Sequence, residues 1–425
     1  MRLPCLALLA VAFGSACSSA PPVVAPRPVV ITPPAPIAAP PARLTSVPTL
    51  VEAAPATVGM DAGLSARLDS IVRVAIADGA APGAALAVGR FGRLVHIKGY
   101  GTLDYASESP AAQPTTLYDL ASLTKVVATT TIAMILEEEH KLDLGRTVHS
   151  YLPEFDAPDK AGITVRMLLT HSGGLEAYAP LYLSHRGRAD FLSQINARPL
   201  QSMPGTATVY SDWDMVVLQA VLERITGASL DLYAATRLFH PLGMTDTQFL
   251  PDTADMALRR RIAPTAVDPA RGGLLQGTVH DGNAWALGGV SGHAGLFSTA
   301  RDLAIFAQML LDGGTYGDVR IVGPSTVARW TSAQGSTSSR ALGWDTPAPQ
   351  SSAGRYFSPR SFGHTGFTGT SIWIDPERGL FIVLLTNRVN SHGTGTRHVQ
   401  LRRDVADAVQ SAILDAPLTD WEARR

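Results

Sequence analysis

Two β-like runs stand at opposite ends of the chain, and they limit what the chain can fold into. "GAALAVGRFGRLVHIKGYG" (83–101) breaks at Phe91-Gly92, and "TSIWIDPERGLFIVLLTNR" (370–388) breaks at Asp375-Pro376-Glu377-Arg378-Gly379. Apolar, β-branched residues on both sides of turn chemistry predict a hairpin in each place. A hairpin alone is marginal in water, so each needs further strands or a helix to cover it. Helical spacing of apolar residues fills the interval, in "LTKVVATTTIAMILEEEH", "TVRMLLTH", "DMVVLQAVLERITG", "LDLYAATRLFHPLG" and "RDLAIFAQMLLDGG". A further amphipathic helix, "SARLDSIVRVAIADG", precedes the first hairpin and stops at Gly79. This order predicts an α/β (α+β) fold: an antiparallel sheet closed by the two chain ends and flanked by helices, with a mostly helical part inserted and a cleft where they meet. No internal repeat of fixed period is present.

The sheet is expected from about 60–118 and 300–415 and the helical part from about 122–300, within a domain spanning 49–420. At 425 residues and 46% hydrophobic the chain can bury a large core. The first 17 residues, "MRLPCLALLAVAFGSAC", join Arg2 to a short apolar stretch and a small-residue segment ending at Cys17, which reads as a signal peptide. The residues before Cys17 resemble a bacterial lipoprotein cleavage site, although Gly14 stands where that pattern prefers Leu. Ordinary cleavage between Ala16 and Ala20 is the alternative. The expected location is therefore exported and periplasmic, on the outer membrane if Cys17 is lipidated, with that lipid as the membrane attachment. Residues 18–48 are rich in Pro and Ala and predict a semi-rigid linker that spans on the order of 90 Å when extended. Both cysteines, Cys5 and Cys17, lie in the leader, so the mature domain has no pair with which to form a disulfide. A net charge of -1, without basic runs interleaved with aromatics, removes the footprint of a nucleic-acid binder.

Of 35 Lys and Arg, four are lysines, and one of them, Lys125, follows Ser122 by three residues in "YDLASLTKVV". If Ser122 opens a helix, the two side chains share a face and the amine reaches the serine oxygen. Flanking Val126, Val127, Ile132 and Leu136 predict burial, which lowers a lysine pKa and makes a neutral amine available as general base. Arginine cannot do this, because guanidinium keeps its proton. The Ser122 N-H, at a helix start, is placed to stabilise an oxyanion. A capping serine beside a snorkelling lysine explains the tetrapeptide as well when it is read alone.

Other stretches narrow the reading. "PGTATVYSDWDMVVLQAVLERITG" sets Tyr210 before a helix capped by Ser211 or Asp212, and "SFGHTGFTGTSIWIDP" is a glycine-rich entry to a strand. With "TVRMLLTHSGGL" and "GLFSTARDLAIF", these resemble the serine β-lactamase and penicillin-binding-protein superfamily from about residue 60 to 415. The resemblance is strongest to its class C β-lactamase, D-Ala-D-Ala carboxypeptidase and esterase branch. It implies a β-lactamase/transpeptidase-like fold, with Ser122 as nucleophile, Lys125 as its base partner and Tyr210 passing a proton to or from the leaving atom. It also implies an oxyanion hole of the Ser122 and Phe367 backbone N-H groups, and substrate contacts from Asp212, His364, Thr365 and Gly366. No cofactor or metal is implied, and the partner is a small acyl, ester or peptide substrate, with a peptidoglycan stem peptide among the candidates.

Two positions depart from the family pattern. Asp212 replaces the usual Asn, and an ionised carboxylate only accepts hydrogen bonds, which weakens recognition of an amide-bearing substrate; helix capping is its bland alternative. His364 replaces the Lys of Lys-Thr-Gly, and its charge near pH 6.5 predicts better binding of carboxylate substrates as pH falls. In "TVHDGNAWALGGVSGHAGLFST", His280 and His293 either approach the site or are satisfied structural residues. Arg388 and Asn390 either touch substrate or end the last strand. The expected activity is an acyl-enzyme serine hydrolase of carboxypeptidase or esterase type. The alternatives are a β-lactamase proper and a non-catalytic peptidoglycan or β-lactam sensor on the same scaffold.

Overall fold

The two end hairpins join in one six-stranded sheet in the computed structural model, which describes residues 49–335, 338–348, 351–390, 395–418 and 420. The expected signal peptide, residues 1–17, and the expected linker, residues 18–48, lie outside the described residues. The strands β1 (Val51–Glu52), β2 (Gly83–Arg90), β3 (Arg93–Gly101), β4 (Phe362–Thr365), β5 (Ser371–Asp375) and β6 (Leu380–Thr386) stand in the order β1-β3-β2-β6-β5-β4. β1 runs parallel to β3, and the remaining pairs are antiparallel. The two hairpins meet at the centre, where β2 and β6 pair from Leu380 opposite Arg90 to Thr386 opposite Ala84. Phe91 (φ 49°) and Gly92 (φ 73°) make the tight turn between β2 and β3, a conformation that matches strand twist.

Alternation along the strands divides the core. Ala84, Leu86, Val88, Trp373, Ile382 and Leu384 face helix α1 (Leu64–Ala77) through Leu64, Leu68 and Val72, and the C-terminal helix (Arg397–Ser411) through Leu401, Val405 and Val409. Burying each such aliphatic side chain contributes roughly 1.5–3 kcal/mol. Ala85, Ala87, Ile372, Val383 and Leu385 point the other way, into the core they share with Leu303 and Phe306 of the helix Ala300–Leu311 and with the inserted helical part.

That inserted part holds the helix Asp212–Thr226 and a long helix whose first stretch, Lys125–Thr130, is π-helical before α-helix resumes at Thr131–Glu138. A regular helix was the expectation from the apolar spacing. A threonine accompanies the difference: Thr131 Oγ1 donates to the Val126 carbonyl (2.8 Å), an acceptor that a plain helix would use itself, while Thr129 Oγ1 ties the stretch to the Gly292 carbonyl outside it (2.7 Å). A short sheet of Tyr118–Asp119, Leu296–Ser298 and Gln248–Phe249 anchors the chain just before Ser122.

Candidate active site

Ser122 leaves the short strand Tyr118–Asp119 through Ala121, whose φ of 47° is rare for a residue with a side chain. Buried Asp119 holds this bend: its carboxylate accepts the N-H groups of Ala121 (2.8 Å) and His280 (2.7 Å). Burial pushes its pKa up to about 6, against the pull of those two donors. Thr368 Oγ1 donates to the Asp119 carbonyl (2.7 Å) and Thr370 Oγ1 to the Leu120 carbonyl (2.9 Å), fastening the turn after β4 to the serine loop. Gly366 is needed there, because a Cβ would lie 2.4 Å from the Leu120 carbonyl oxygen and 2.1 Å from Thr370 Oγ1. These contacts bring Phe367 beside Ser122, and both residues border the same two cavities.

Lys125, fully buried, donates to Ser122 Oγ (2.9 Å) and to the His293 carbonyl (3.0 Å), and pairs with Asp212 Oδ1 (2.7 Å). The expectation of a neutral amine is corrected here. Burial pulls the ammonium toward deprotonation, but the Asp212 carboxylate and the Tyr210 hydroxyl outweigh it, and the net pKa lies above the ordinary lysine value. Ser211, whose Oγ accepts the Trp213 N-H (3.2 Å), caps the helix Asp212–Thr226. Asp212 in its first turn is therefore free to meet the lysine rather than to cap.

Tyr210 lies with its ring centroid 5.0 Å from Lys125 Nζ, 5.8 Å from the His364 ring and 5.1 Å from the Arg340 guanidinium carbon. His364 overturns a second expectation. Its Nδ1 faces the Thr365 carbonyl at 2.8 Å, and burial, with Arg340 and Lys125 nearby, holds it well below the ordinary histidine range. That shift disfavours the protonated ring, against the expected gain of charge toward a carboxylate as pH falls. Positive charge on that side comes instead from Arg340, Arg388 and Arg402.

Ser122, Tyr210 and Phe367 stand where two cavities meet. The smaller, about 360 Å³, is bounded by those three arginines with Asp345, His364, Thr365, Gly366 and His398. Arg402 is 8% exposed and donates to the Gly366 (2.8 Å) and Thr370 (2.7 Å) carbonyls; burial and neighbouring Arg388 bring its pKa down to about 10. Arg388 lies over the Phe367 ring (4.4 Å) and donates to its carbonyl (2.7 Å). The larger cavity, about 710 Å³, is lined by Tyr178, Tyr182, Val267, His280 and Phe367, together with Asp212, Asp281 and Arg271.

His293 reaches the site through its carbonyl on Lys125, while its ring bridges Ser291 Oγ (2.7 Å) and Asp281 Oδ1 (2.9 Å). His280 borders the larger cavity, stacked on Phe367 at 5.7 Å. Asn390 closes a turn by donating its N-H to the Asn387 carbonyl (2.8 Å) and borders neither cavity. Asp212, Asp281 and His293 bring possible ligand atoms within 4.8 Å of one another, but Lys125 and the Asp281–His293 contact already occupy them.

Arg340, Arg402, His171 and Asp214 were not singled out by their sequence patterns, whereas Asp281 lies with His280 and His293 in the glycine-rich stretch read as a loop approaching the site. Arg340, in "SSRALGW", carries no motif and arrives by topology. His171 does sit in the "THSGGL" stretch that resembles the family, and that stretch could have drawn attention to it.

The Beta-lactamase family model matches residues 68–407. A protein from Salmonella agona described as "Putative D-alanyl-D-alanine carboxypeptidase" is 34% identical over 373 residues, covering 80% of this chain and 86% of that protein. Among solved structures, EstCE1, "a hydrolase with promiscuous acyltransferase activity", superposes with a TM-score of 0.66 at 24% identity, over 82% of this chain and 98% of that one. A family VIII carboxylesterase gives 0.65 at 23% identity over 83% and 99%. A penicillin-binding protein homologue from Caulobacter crescentus gives 0.64 at 22% over 81% and 97%. The two latter likenesses, like the first, concern the fold, whereas the match of the family model over most of the chain concerns descent: the chain belongs to the beta-lactamase family of serine hydrolases.

Proposed function

We propose that the protein is an exported serine acyl hydrolase of D-Ala-D-Ala carboxypeptidase type, acting through an acyl-enzyme on Ser122. The observation that carries this reading is the placement of the Ser122–Lys125 contact between an arginine-lined cavity and a larger aromatic one. A peptide ending in a carboxylate suits the first, since fixed guanidinium groups pair with carboxylates at every accessible pH. The relatedness to the Salmonella carboxypeptidase supports the same substrate class.

In this mechanism Lys125 rests as an ammonium and must shed a proton before it accepts one. Asp212, 2.7 Å away, is the acceptor within reach. The Ser122 proton passes to Lys125 as Oγ bonds to the carbonyl carbon, and the N-H groups of Ser122 and Phe367 hold the oxyanion. Collapse breaks the scissile bond, Tyr210 protonates the departing amine, and Lys125 returns a proton to Tyr210. Water then releases the acid and regenerates Ser122. The export signal and Pro/Ala-rich linker support a periplasmic, outer-membrane lipoprotein anchored at Cys17, for which palmitate labelling of the wild type but not of Cys17→Ser is the expected result.

Intact-mass spectrometry after exposure to D-Ala-D-Ala peptides, simple esters and β-lactams tests the reaction. A transient adduct that clears with the peptide, and is missing in Ser122→Ala, is expected. Turnover that survives Ser122→Ala removes the proposed nucleophile. An esterase reading is favoured by the walls of the larger cavity, Tyr178, Tyr182 and Phe367, which suit a bulky apolar acyl group. It predicts faster turnover of aromatic esters than of the peptide.

A further inference from the structure

His171 sits behind Tyr210 and grips the chain on both sides of it. The Val209 N-H donates to the His171 carbonyl (2.8 Å) and the Ser211 N-H to His171 Nδ1 (3.2 Å). The His171 ring also packs on the Tyr210 ring, with centroids 4.7 Å apart. His171 holds a left-handed φ of 53°, a conformation that costs energy for a residue with a side chain and marks positions fixed for a purpose. The same Nδ1 lies 2.9 Å from Asp214 Oδ2, and both residues are 1% exposed.

These contacts bear on where the proton is. A ring nitrogen that accepts a backbone N-H directs its lone pair outward and carries no hydrogen of its own. The hydrogen between Nδ1 and Asp214 must then come from the carboxyl group. We propose that Asp214 is a buried, protonated carboxylic acid donating to His171, and that this uncharged pair is a positioning element that holds Tyr210 over Lys125. The electrostatics agree. Burial, with Asp212 adding to it against Lys125, pushes the Asp214 carboxyl well above its ordinary range. Burial, together with Arg340 and Lys125, holds His171 well below its own. An imidazolium at position 171 would turn an N-H toward the Ser211 N-H and open the grip. Neutrality also leaves the Lys125–Asp212 pair as the ionic centre beside Tyr210, without a second buried anion to draw the ammonium away from Ser122.

This inference rests on the proposed role of Tyr210, and two measurements keep them apart. Tyr210→Phe tests that role: a variant that turns over as the wild type removes the purpose of the grip. Infrared difference spectroscopy tests the proton without reference to turnover: the wild-type enzyme at pH 7 is expected to show a protonated-carboxyl C=O band that Asp214→Asn lacks. Kinetics complete the test. Asp214→Ala and His171→Ala are expected to lower kcat about 30-fold with KM changed less than about threefold, the split left by lost positioning rather than lost binding. Asp214→Asn, whose amide also donates to Nδ1, is expected to restore kcat to within about threefold of wild type with the same pH profile. No such band, or an Asp214→Asn variant as slow as Asp214→Ala, overturns the proposal, because either result means that the carboxylate is ionised and His171 carries the proton.

Discussion

Lys125 shows how far one residue could be read before its surroundings were known. Its spacing from Ser122 and the apolar run after it foretold contact and burial, and both are present at 2.9 Å and in a fully buried side chain. Its charge could not be read in the same way, because the deciding neighbour, Asp212, lies 87 positions away and reaches it only through the fold. The same holds for His364, whose charge state depends on burial against Arg340 and Lys125 rather than on its place in a motif. The Lys125–Asp212 pair has a pH signature. In the wild type the folded-state pKa of Lys125 is raised, so its stabilisation is full below the ordinary lysine value and is lost only as pH rises through the folded pKa. Between pH 6 and 9 this group contributes no slope. In Asp212→Asn the raising charge is gone and burial dominates, so the unfolded chain binds a proton that the folded one rejects. Stability of that variant is expected to be about 3 kcal/mol below wild type at pH 6. The gap should narrow toward pH 9 in urea melts. A gap that stays constant over this range means that Lys125 is not titrating against Asp212.

At the scale of elements, the hairpins and the main helices were legible because alternation and helical spacing repeat over many residues. β2 illustrates this: Ala84, Leu86 and Val88 face one core while Ala85 and Ala87 face the other. The connections that carry chemistry repeat nothing. At the π-helical stretch Lys125–Thr130, Thr131 Oγ1 takes up the Val126 carbonyl and Thr129 Oγ1 reaches the distant Gly292 carbonyl. The left-handed Ala121 depends on Asp119 accepting its N-H, and the close approach of β4 to the serine loop depends on an absent side chain at Gly366. Gly366→Ala tests that closure. Its Cβ would meet Thr370 Oγ1 at 2.1 Å and the Leu120 carbonyl oxygen at 2.4 Å, so one of the two elements must shift. Overpacking of this kind is expected to cost about 1–3 kcal/mol in thermal melts. Moving Phe367 away from Ser122 is expected to lower kcat about 100-fold or more, as loss of an oxyanion donor does. A variant with wild-type kcat would show that the Phe367 N-H is not an oxyanion donor.

Across the described domain, the meeting of β2 with β6 joins the two hairpins and leaves the inserted helices on one side, so the reacting groups fall at a junction. Ser122 and Tyr210 come from the helical part, Phe367 from the sheet edge, and Arg340 from a patternless segment between them. The outcome is a polarised cleft: Arg340, Arg388 and Arg402 on one side of the serine, and on the other the aromatic walls Tyr178, Tyr182 and Phe367 with Arg271 set among the carboxylates of Asp212, Asp268 and Asp281. Such a division should make charge and size separable in the kinetics. For a D-Ala-D-Ala peptide, whose carboxylate enters the arginine side, Arg340→Gln is expected to raise KM about 10- to 100-fold, the range for a lost charged hydrogen bond. For an uncharged aromatic ester, which uses the other side, the same variant should change KM less than about threefold. Salt provides an independent check, since screening at about 0.5 M reduces attraction between partly exposed charges while leaving apolar contact intact. The peptide's kcat/KM should therefore fall several-fold with salt while the ester's holds or rises. If Arg340→Gln and salt act alike on both substrates, the arginines serve the fold rather than the substrate, and the carboxypeptidase reading gives way to the esterase one.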